Sequence, residues 1–291
     1  MKKKLIDVFI IVFVALSAGT SLADNQKPDL WKIEKDGKIS YLFGSIHAGS
    51  QDMYPLSKAV MGAYDQTESL VVEVDVTAVD QAVMAQKFQQ YGMNTSLPIE
   101  QRLSPATLEI YKQSCQAKTM PCEHFTAFKP WALSTVLLIS KMQQLGYTPE
   151  LGIDKHFLTL AHKADKNIIS LETMESQLKW LSGFNQIQAE RMLVESLQVN
   201  KKHIDDLFNA WKSGDDKFLL GYYTKGSEFP EIKKMYELLL DQRNFKMVSN
   251  ISQLIASNKS LFVVVGAMHM VGKNGIVNLL KKEGFKVSQI Q

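Results

Sequence analysis

Two short β-prone runs, near opposite ends of the chain, both finish in Gly-x-x-His. Residues 39–43 (Ile-Ser-Tyr-Leu-Phe) lead into Gly44-Ser45-Ile46-His47, and residues 261–265 (Leu-Phe-Val-Val-Val) lead into Gly266-Ala267-Met268-His269. A strand that ends in glycine and then presents an imidazole places that ring at the carboxyl edge of a sheet, where open α/β sheets build their ligand sites. Glycine lets the backbone turn sharply or approach another group closely. One such pattern is too short to carry a function. Two copies in the same strand–turn–helix setting point to two strands that meet at one polar site.

The surrounding pattern supplies the fold class. Asp36-Gly37 lies between the runs 30–34 and 39–43 and predicts a β-hairpin. Residues 57–65 read as a helix and 69–76 (Ser-Leu-Val-Val-Glu-Val-Asp-Val) as a buried strand. Strand, GxxH, helix, strand is a βαβ unit with a parallel pair. A second unit follows at 263–266, His269, a 275–282 helix and a 285–290 strand. The expected architecture is α/β with α+β character. Its central sheet is mixed and built from these two related halves. A large helical insertion, about 78–257, lies between them and is placed to act as a lid. Within it, Ser104 and Pro105 start one helix. Residues 130–145 form another that is apolar on most faces, 167–171 a short strand, and 231–257 a long helix, broken or curved at most.

The first 23 residues stand apart from this domain of 24–291. Met1-Lys2-Lys3-Lys4 is basic, the run 5–16 is apolar apart from Asp7, and Ser21-Leu22-Ala23 is a small-x-small cleavage site. Together they read as a secretory signal peptide cut after Ala23. The apolar run is shorter than the roughly 20 residues of a spanning helix, and no later segment is long and apolar enough to span a membrane. The expected location is therefore periplasmic or secreted. Cleavage removes three lysines and one aspartate, which takes the formal charge from +3 to +1. That balance, with no basic patch interleaved with aromatics, argues against a nucleic-acid partner. In an exported chain the two cysteines, Cys115 and Cys122, read first as a disulfide, with a metal clip as the rival.

Candidate chemistry gathers around the two histidines. Glu73 and Asp75, two apart on a predicted strand, share one face. Charges inside so apolar a run need a cation or a metal beside them. His47, His269 and Glu73 make a nitrogen and oxygen donor set suited to zinc, manganese or cobalt. Such a metal activates water for hydrolysis, and Glu73 is alternatively a general base. Arg243 and Asn244 are adjacent on a helix, about 100° apart, and either belong to a solvated charged face or both border a cleft. In a cleft they would steady an oxyanion or a substrate carboxylate. No GxSxG elbow, HExxH helix or nucleotide-binding glycine loop is present.

The paired GxxH motifs, the Val-Val-Glu-Val-Asp strand, Gly152-Ile153-Asp154, Leu171-Glu172-Thr173 with Gln177, and Arg243-Asn244 resemble the TraB/GumN family. The likeness runs from about Leu30 to the C-terminus. That family includes the animal TIKI peptidases and is similar in fold to the erythromycin esterase and ChaN-like proteins. The resemblance implies a mixed-sheet α/β architecture of two related halves. It also implies a metal-dependent hydrolase, with His47, His269 and Glu73 as metal-site residues and Arg243 and Asn244 beside them. Cys115 and Cys122 fall where bacterial members often carry a cysteine pair. The leading expectation is an exported metallopeptidase acting on a peptide or protein substrate. The alternative is a non-catalytic periplasmic binding or accessory protein, linked through the GumN name to exopolysaccharide production. Metal-free hydrolysis with a histidine base is a third possibility.

Overall fold

A computed structural model describes residues 27–117, 120–257 and 259–290. The expected signal peptide lies outside the described residues. The N-terminal half opens with β1 (Leu30–Lys35), β2 (Lys38–Ser45), α1 (Lys58–Asp65), β3 (Ser69–Val72) and α2 (Gln81–Gly92). Next come α3 (Pro105–Gln116), α4 (Pro130–Gln144), α5 (Ile153–Lys163), β4 (Asn167–Ser170) and α6 (Met174–Ser182). Four further helices are α7 (Gln186–Gln198), α8 (Lys201–Ser213), α9 (Asp216–Ser227) and α10 (Pro230–Tyr236). The chain then runs through α11 (Gln242–Ala256), β5 (Leu261–Gly266), α12 (Ile276–Lys282) and β6 (Lys286–Ile290).

The strands form one mixed sheet in the order β4-β3-β5-β2-β1-β6. β4, β3, β5 and β2 are parallel, and β1 is antiparallel to both β2 and β6. The hairpin between β1 and β2 turns at Asp36 and Gly37, with φ of 51° and 75°. Two consecutive positive φ angles are what a two-residue primed turn requires. β2 and β3 run parallel, as the βαβ reading expects, but they are not neighbours. β5 lies between them, paired with Tyr41–Ser45 on one side and with β3 on the other. Its run of apolar residues is buried on both faces, which suits the middle of a parallel sheet.

Alternation within the strands divides the core. Tyr41, Phe43, Leu70, Val72, Phe262 and Val264 face one way and pack under Phe157 of α5 and Trp211 of α8. Leu42, Val71, Leu261, Val263 and Val265 face the other way and pack on Val248 and Ile251 of α11 and Leu280 of α12. Two smaller apolar clusters sit among the insertion helices, centred on Leu133 with Leu193 and on Trp131 with Leu178. The insertion is not purely helical, because β4 joins the edge of the sheet beside β3. Cys115 and Cys122 are joined in a disulfide at the end of α3. Among the described residues no helix is long and apolar enough to cross a membrane.

Two elements differ from the sequence expectation. The strand expected over 69–76 stops at Val72. Leu171 N–H donates to Val72 O and Glu172 N–H to Glu73 O, so β3 and β4 close their ladder together and the chain leaves the sheet. Asp75 therefore does not share a face with Glu73. Its Oδ1 accepts from the N–H groups of Thr77 and Ala78, and its Oδ2 lies 3.2 Å from His162 Nε2. The helix expected over 231–257 is α10 and α11 joined through a π-helical segment, Glu237–Asp241. Such a bulge inserts a residue into the helical register and occurs often at functional sites.

Candidate active site

The carboxyl ends of β2, β5 and β3 open into one cleft, a cavity of about 450 Å³ that includes His47, Glu73, Gln177, Arg243 and His269 in its lining. The two GxxH turns pack against each other. A Cβ built on Gly44 would stand 3.3 Å from the Ala267 Cα. His47 is held from the far side by α5. Asp154, in the first turn of that helix, accepts from Ser45 Oγ at 2.8 Å and lies 2.9 Å from His47 Nδ1. This needs the start of α5 to touch the GxxH turn. Ile153 N–H donates to Ile46 O, and a Cβ on Gly152 would meet His47 O at 2.3 Å.

His269 sits on the single 3-10 turn after β5 and is 4% exposed. Its Nδ1 is 2.5 Å from Asn244 Oδ1, and Asn244 Nδ2 donates to Asn274 O at 2.8 Å. Both imidazoles thus have Nδ1 tied to an oxygen, a pattern that fixes ring orientation and frees Nε2. The two rings differ in access. The His47 side chain is 69% exposed to the open cleft, whereas His269 is closed in.

Glu73 follows directly on β3 and is buried. Its Oε1 accepts from Gly266 N–H at 2.8 Å and lies 3.8 Å from His269 Nε2. Its Oε2 accepts from Gln177 Nε2 at 3.0 Å and Arg243 Nη2 at 2.5 Å. Arg243 also donates from Nε and Nη2 to Glu172, at 2.9 and 2.6 Å, and from Nη1 to Leu239 O within the π-helical segment. Arg243 and Asn244, neighbours on α11, thus reach different partners. One goes to the two glutamates and the other to His269.

These contacts set the charges. Burial opposes ionisation of Glu73, but the imidazoles of His269 and His47, the Arg243 guanidinium and the Gly266 N–H outweigh it and hold the carboxyl at about 2. Burial, assisted by Arg243, lowers His269 to about 4, so this ring is neutral near pH 7. The Asp154 carboxylate raises His47 to about 9 against the opposing effect of desolvation. Burial works against the charge of Arg243, but Glu172 and Glu73 more than restore it.

Of the residues singled out in the sequence, His47, His269, Glu73, Arg243 and Asn244 come together at this edge. Asp154, Glu172 and Gln177 belong to the same network. As isolated residues Asp154 and Glu172 look like solvated surface charges, and only the motif resemblance marked them. Among the described residues no group of three or more His, Cys, Asp or Glu side chains is placed to hold a metal ion. The space between the candidate donors is nonetheless shaped for a small occupant. A Cβ on Gly266 would stand 3.3 Å from Glu73 Oε1 and 3.7 Å from both His47 Nε2 and His269 Cδ2. Glycine at this position leaves that space open.

The model of the TraB/PrgY/gumN family matches residues 29–289. The chain belongs to that family. TraB/PrgY/gumN relatives with curated descriptions include "Uncharacterized protein YbaP" from Shigella flexneri. It is 25% identical over 83% of this chain and 88% of its own length. The protein of the same name from Escherichia coli (strain K12) is 25% identical over 83% of this chain and 87% of its own. A third, "Metalloprotease TIKI homolog" from Nematostella vectensis, is 26% identical over 48% of this chain and 36% of its own length. No solved structure matches.

Proposed function

We propose that this cleft is the active site of an exported metal-dependent hydrolase, a peptidase acting on a peptide or protein substrate, with His47, His269 and Glu73 holding a divalent cation. The observation that carries the reading is the pair of imidazoles whose Nδ1 atoms are fixed by Asp154 and Asn244. Their Nε2 edges are left to a cleft that Glu73 also borders. The metalloprotease description of the Nematostella relative supports the same chemistry, and the Cys115–Cys122 disulfide suits an oxidising compartment outside the cytoplasm.

The donor set fits a borderline cation such as manganese, cobalt or zinc. It offers a neutral His269, an ionised Glu73 and the space that a Gly266 Cβ would fill, and His47, whose pKa Asp154 raises, must give up its proton to join them. When bound, such a cation polarises a carbonyl and acidifies a water molecule. The protein's own residues do the rest. Arg243 is committed to Glu73 and Glu172, so it keeps Glu73 ionised and oriented rather than clamping a substrate carboxylate. Gln177 fixes the same carboxylate from the other side. Asn244 sets the ring plane of His269, and Asp154 that of His47.

A second reading rests on the hydrogen bonds that already engage Glu73. Both its oxygens already accept hydrogen bonds from Gly266, Gln177 and Arg243. In that case His269 Nε2 takes the proton of an attacking water, and His47 Nε2 donates one to the leaving amine. Purified protein loaded with manganese, cobalt or zinc and then desalted separates the two readings. Near-stoichiometric metal and chelator-sensitive cleavage of a peptide library, both lost in His47→Ala and His269→Ala with the fold intact, support the metallohydrolase. Chelator-insensitive cleavage, still lost in those variants, supports the histidine pair. Full activity in either variant overturns both. Absence of cleavage under every metal load leaves a binding or accessory protein.

A further inference from the structure

The cleft combines a cluster of ionisable groups with a largely apolar lining. Its ionisable side chains are His47, Glu73 and His269, which follow β2, β3 and β5, and Arg243, which reaches Glu73 from α11. Much of the remaining lining is apolar and forms a wall of Trp180 and Leu181 of α6, Leu207 and Trp211 of α8, Leu219 of α9, and Leu239 of the π-helical segment. Among the described lining residues this wall carries no charged side chain. The polar edge of Trp211 is turned away, because its Nε1 donates to Gly44 O at 2.8 Å. Lys246 stacks over Trp180, 5.0 Å from the ring centroid, but does not line this cavity.

We propose that the cleft recognises its substrate through a bulky, uncharged apolar side chain, seated on this wall next to the bond presented to His47 and His269. The inference rests on the hydrolase reading for which bond is presented, but not for the recognition itself. The cavity of about 450 Å³ lies in the range of pockets for small ligands, roughly 300–1,000 Å³. It admits a side chain with its adjoining backbone and is too small for a helix about 10–12 Å across. A charged side chain against this wall would lose its hydration without gaining a partner. Neither Arg243 nor His47 offers one, since Glu73 and Glu172 match the charge of the first and Asp154 that of the second. An aromatic or long aliphatic group meets two indole rings and several leucines instead.

Binding of three blocked dipeptides to the mature chain tests this by calorimetry: N-acetyl-Phe-Leu-amide, N-acetyl-Gly-Gly-amide and N-acetyl-Glu-Glu-amide. The His47→Ala/His269→Ala variant serves as the background without turnover. The apolar probe is expected to bind at least about tenfold more tightly than the other two. Leu207→Asp, at a position already 36% exposed, is expected to remove that advantage without lowering the melting temperature. Trp180→Ala is the second variant, with the same expected loss. Equal binding of all three probes overturns the proposal, as does an unchanged preference in both wall variants. Decanoate binding more tightly than the Phe-Leu probe also overturns it in favour of an acyl chain. Apolar preference without cleavage of any peptide removes the hydrolase reading and leaves this one standing. Cleavage with equal kcat/KM for apolar and polar peptides does the reverse.

Discussion

At the scale of single residues, the site depends on polar groups that have no freedom to repair a loss. Arg243 stands between two carboxylates, Glu73 and Glu172. Removing one partner of a buried ion pair strands the others, at a cost of about 3–5 kcal/mol. Arg243→Met is therefore expected to lower stability by that amount in urea unfolding, more than a loss of side-chain contact alone would give. Asp154 acts on charge rather than packing. It is the main cause of the raised pKa of His47, so Asp154→Asn is expected to bring that imidazole down from about 9 toward its ordinary value. Proton NMR of the ring would follow the shift, and an unmoved pKa would remove Asp154 as its cause. His47 and His269 were legible in the sequence because each followed a glycine at the end of a β-branched or aromatic run. Asp154 and Glu172 gave no comparable signal of their own. Their partners lie more than 70 positions away in the chain, and nothing local distinguishes a buried ion-pair carboxylate from a solvated one.

At the scale of elements, close backbone contacts deliver these residues. The start of α5 presses on the first GxxH turn at Gly152, where a Cβ would meet His47 O at 2.3 Å. Gly152→Ala must push α5 and its Asp154 away from His47. A cost of about 1–3 kcal/mol, the usual range for overpacking, is expected in thermal unfolding, together with a lower His47 pKa. Wild-type values for both would show that the contact is not needed. The hairpin, the two GxxH strands and most helices were legible because each has a strong local signal: Asp-Gly at the turn, continuous apolar runs, or proline at the first helical position. The π-helical segment Glu237–Asp241 was not. Its extra residue leaves no mark in the hydrophobic period, yet Leu239 O within it accepts from Arg243. The strand expected over 69–76 exceeds β3 by four residues for a related reason. Val74 and Val76 continue the β-branched pattern, but the ladder with β4 ends at Val72 and Ser170.

At the scale of the whole molecule, the site makes stability depend on pH. His269 is neutral in the fold down to about 4, whereas an unfolded histidine binds its proton near 6.5. The unfolded chain therefore holds more protons between those values, and His269's contribution to stability is lost as pH falls from 6.5 through 4. His269→Asn is expected to flatten that part of the stability profile relative to wild type. Asp29 has the opposite sign. Burial, with Asp216 beside it, raises its carboxyl to about 8, so its stabilisation is complete below about 4 and fades as pH rises through 8. Asp29→Asn is accordingly expected to gain stability over wild type at pH 9, as melting temperatures would register. The sequence by itself determined most of the elements, the burial of the β-branched strands, and His47, His269 and Glu73 at the edge of the sheet, because periodicity, turn chemistry and glycine placement are local; Arg243 and Asn244 rested on the motif resemblance. Only the tertiary structure decided that β5 lies between β2 and β3, that Asp75 turns away, that Asp154 and Glu172 hold His47 and Arg243, and that the two imidazoles share a cleft with a largely apolar lining. Those outcomes depend on which distant segments pack together, and the energies that choose among packings arise from burial and pairing across the chain.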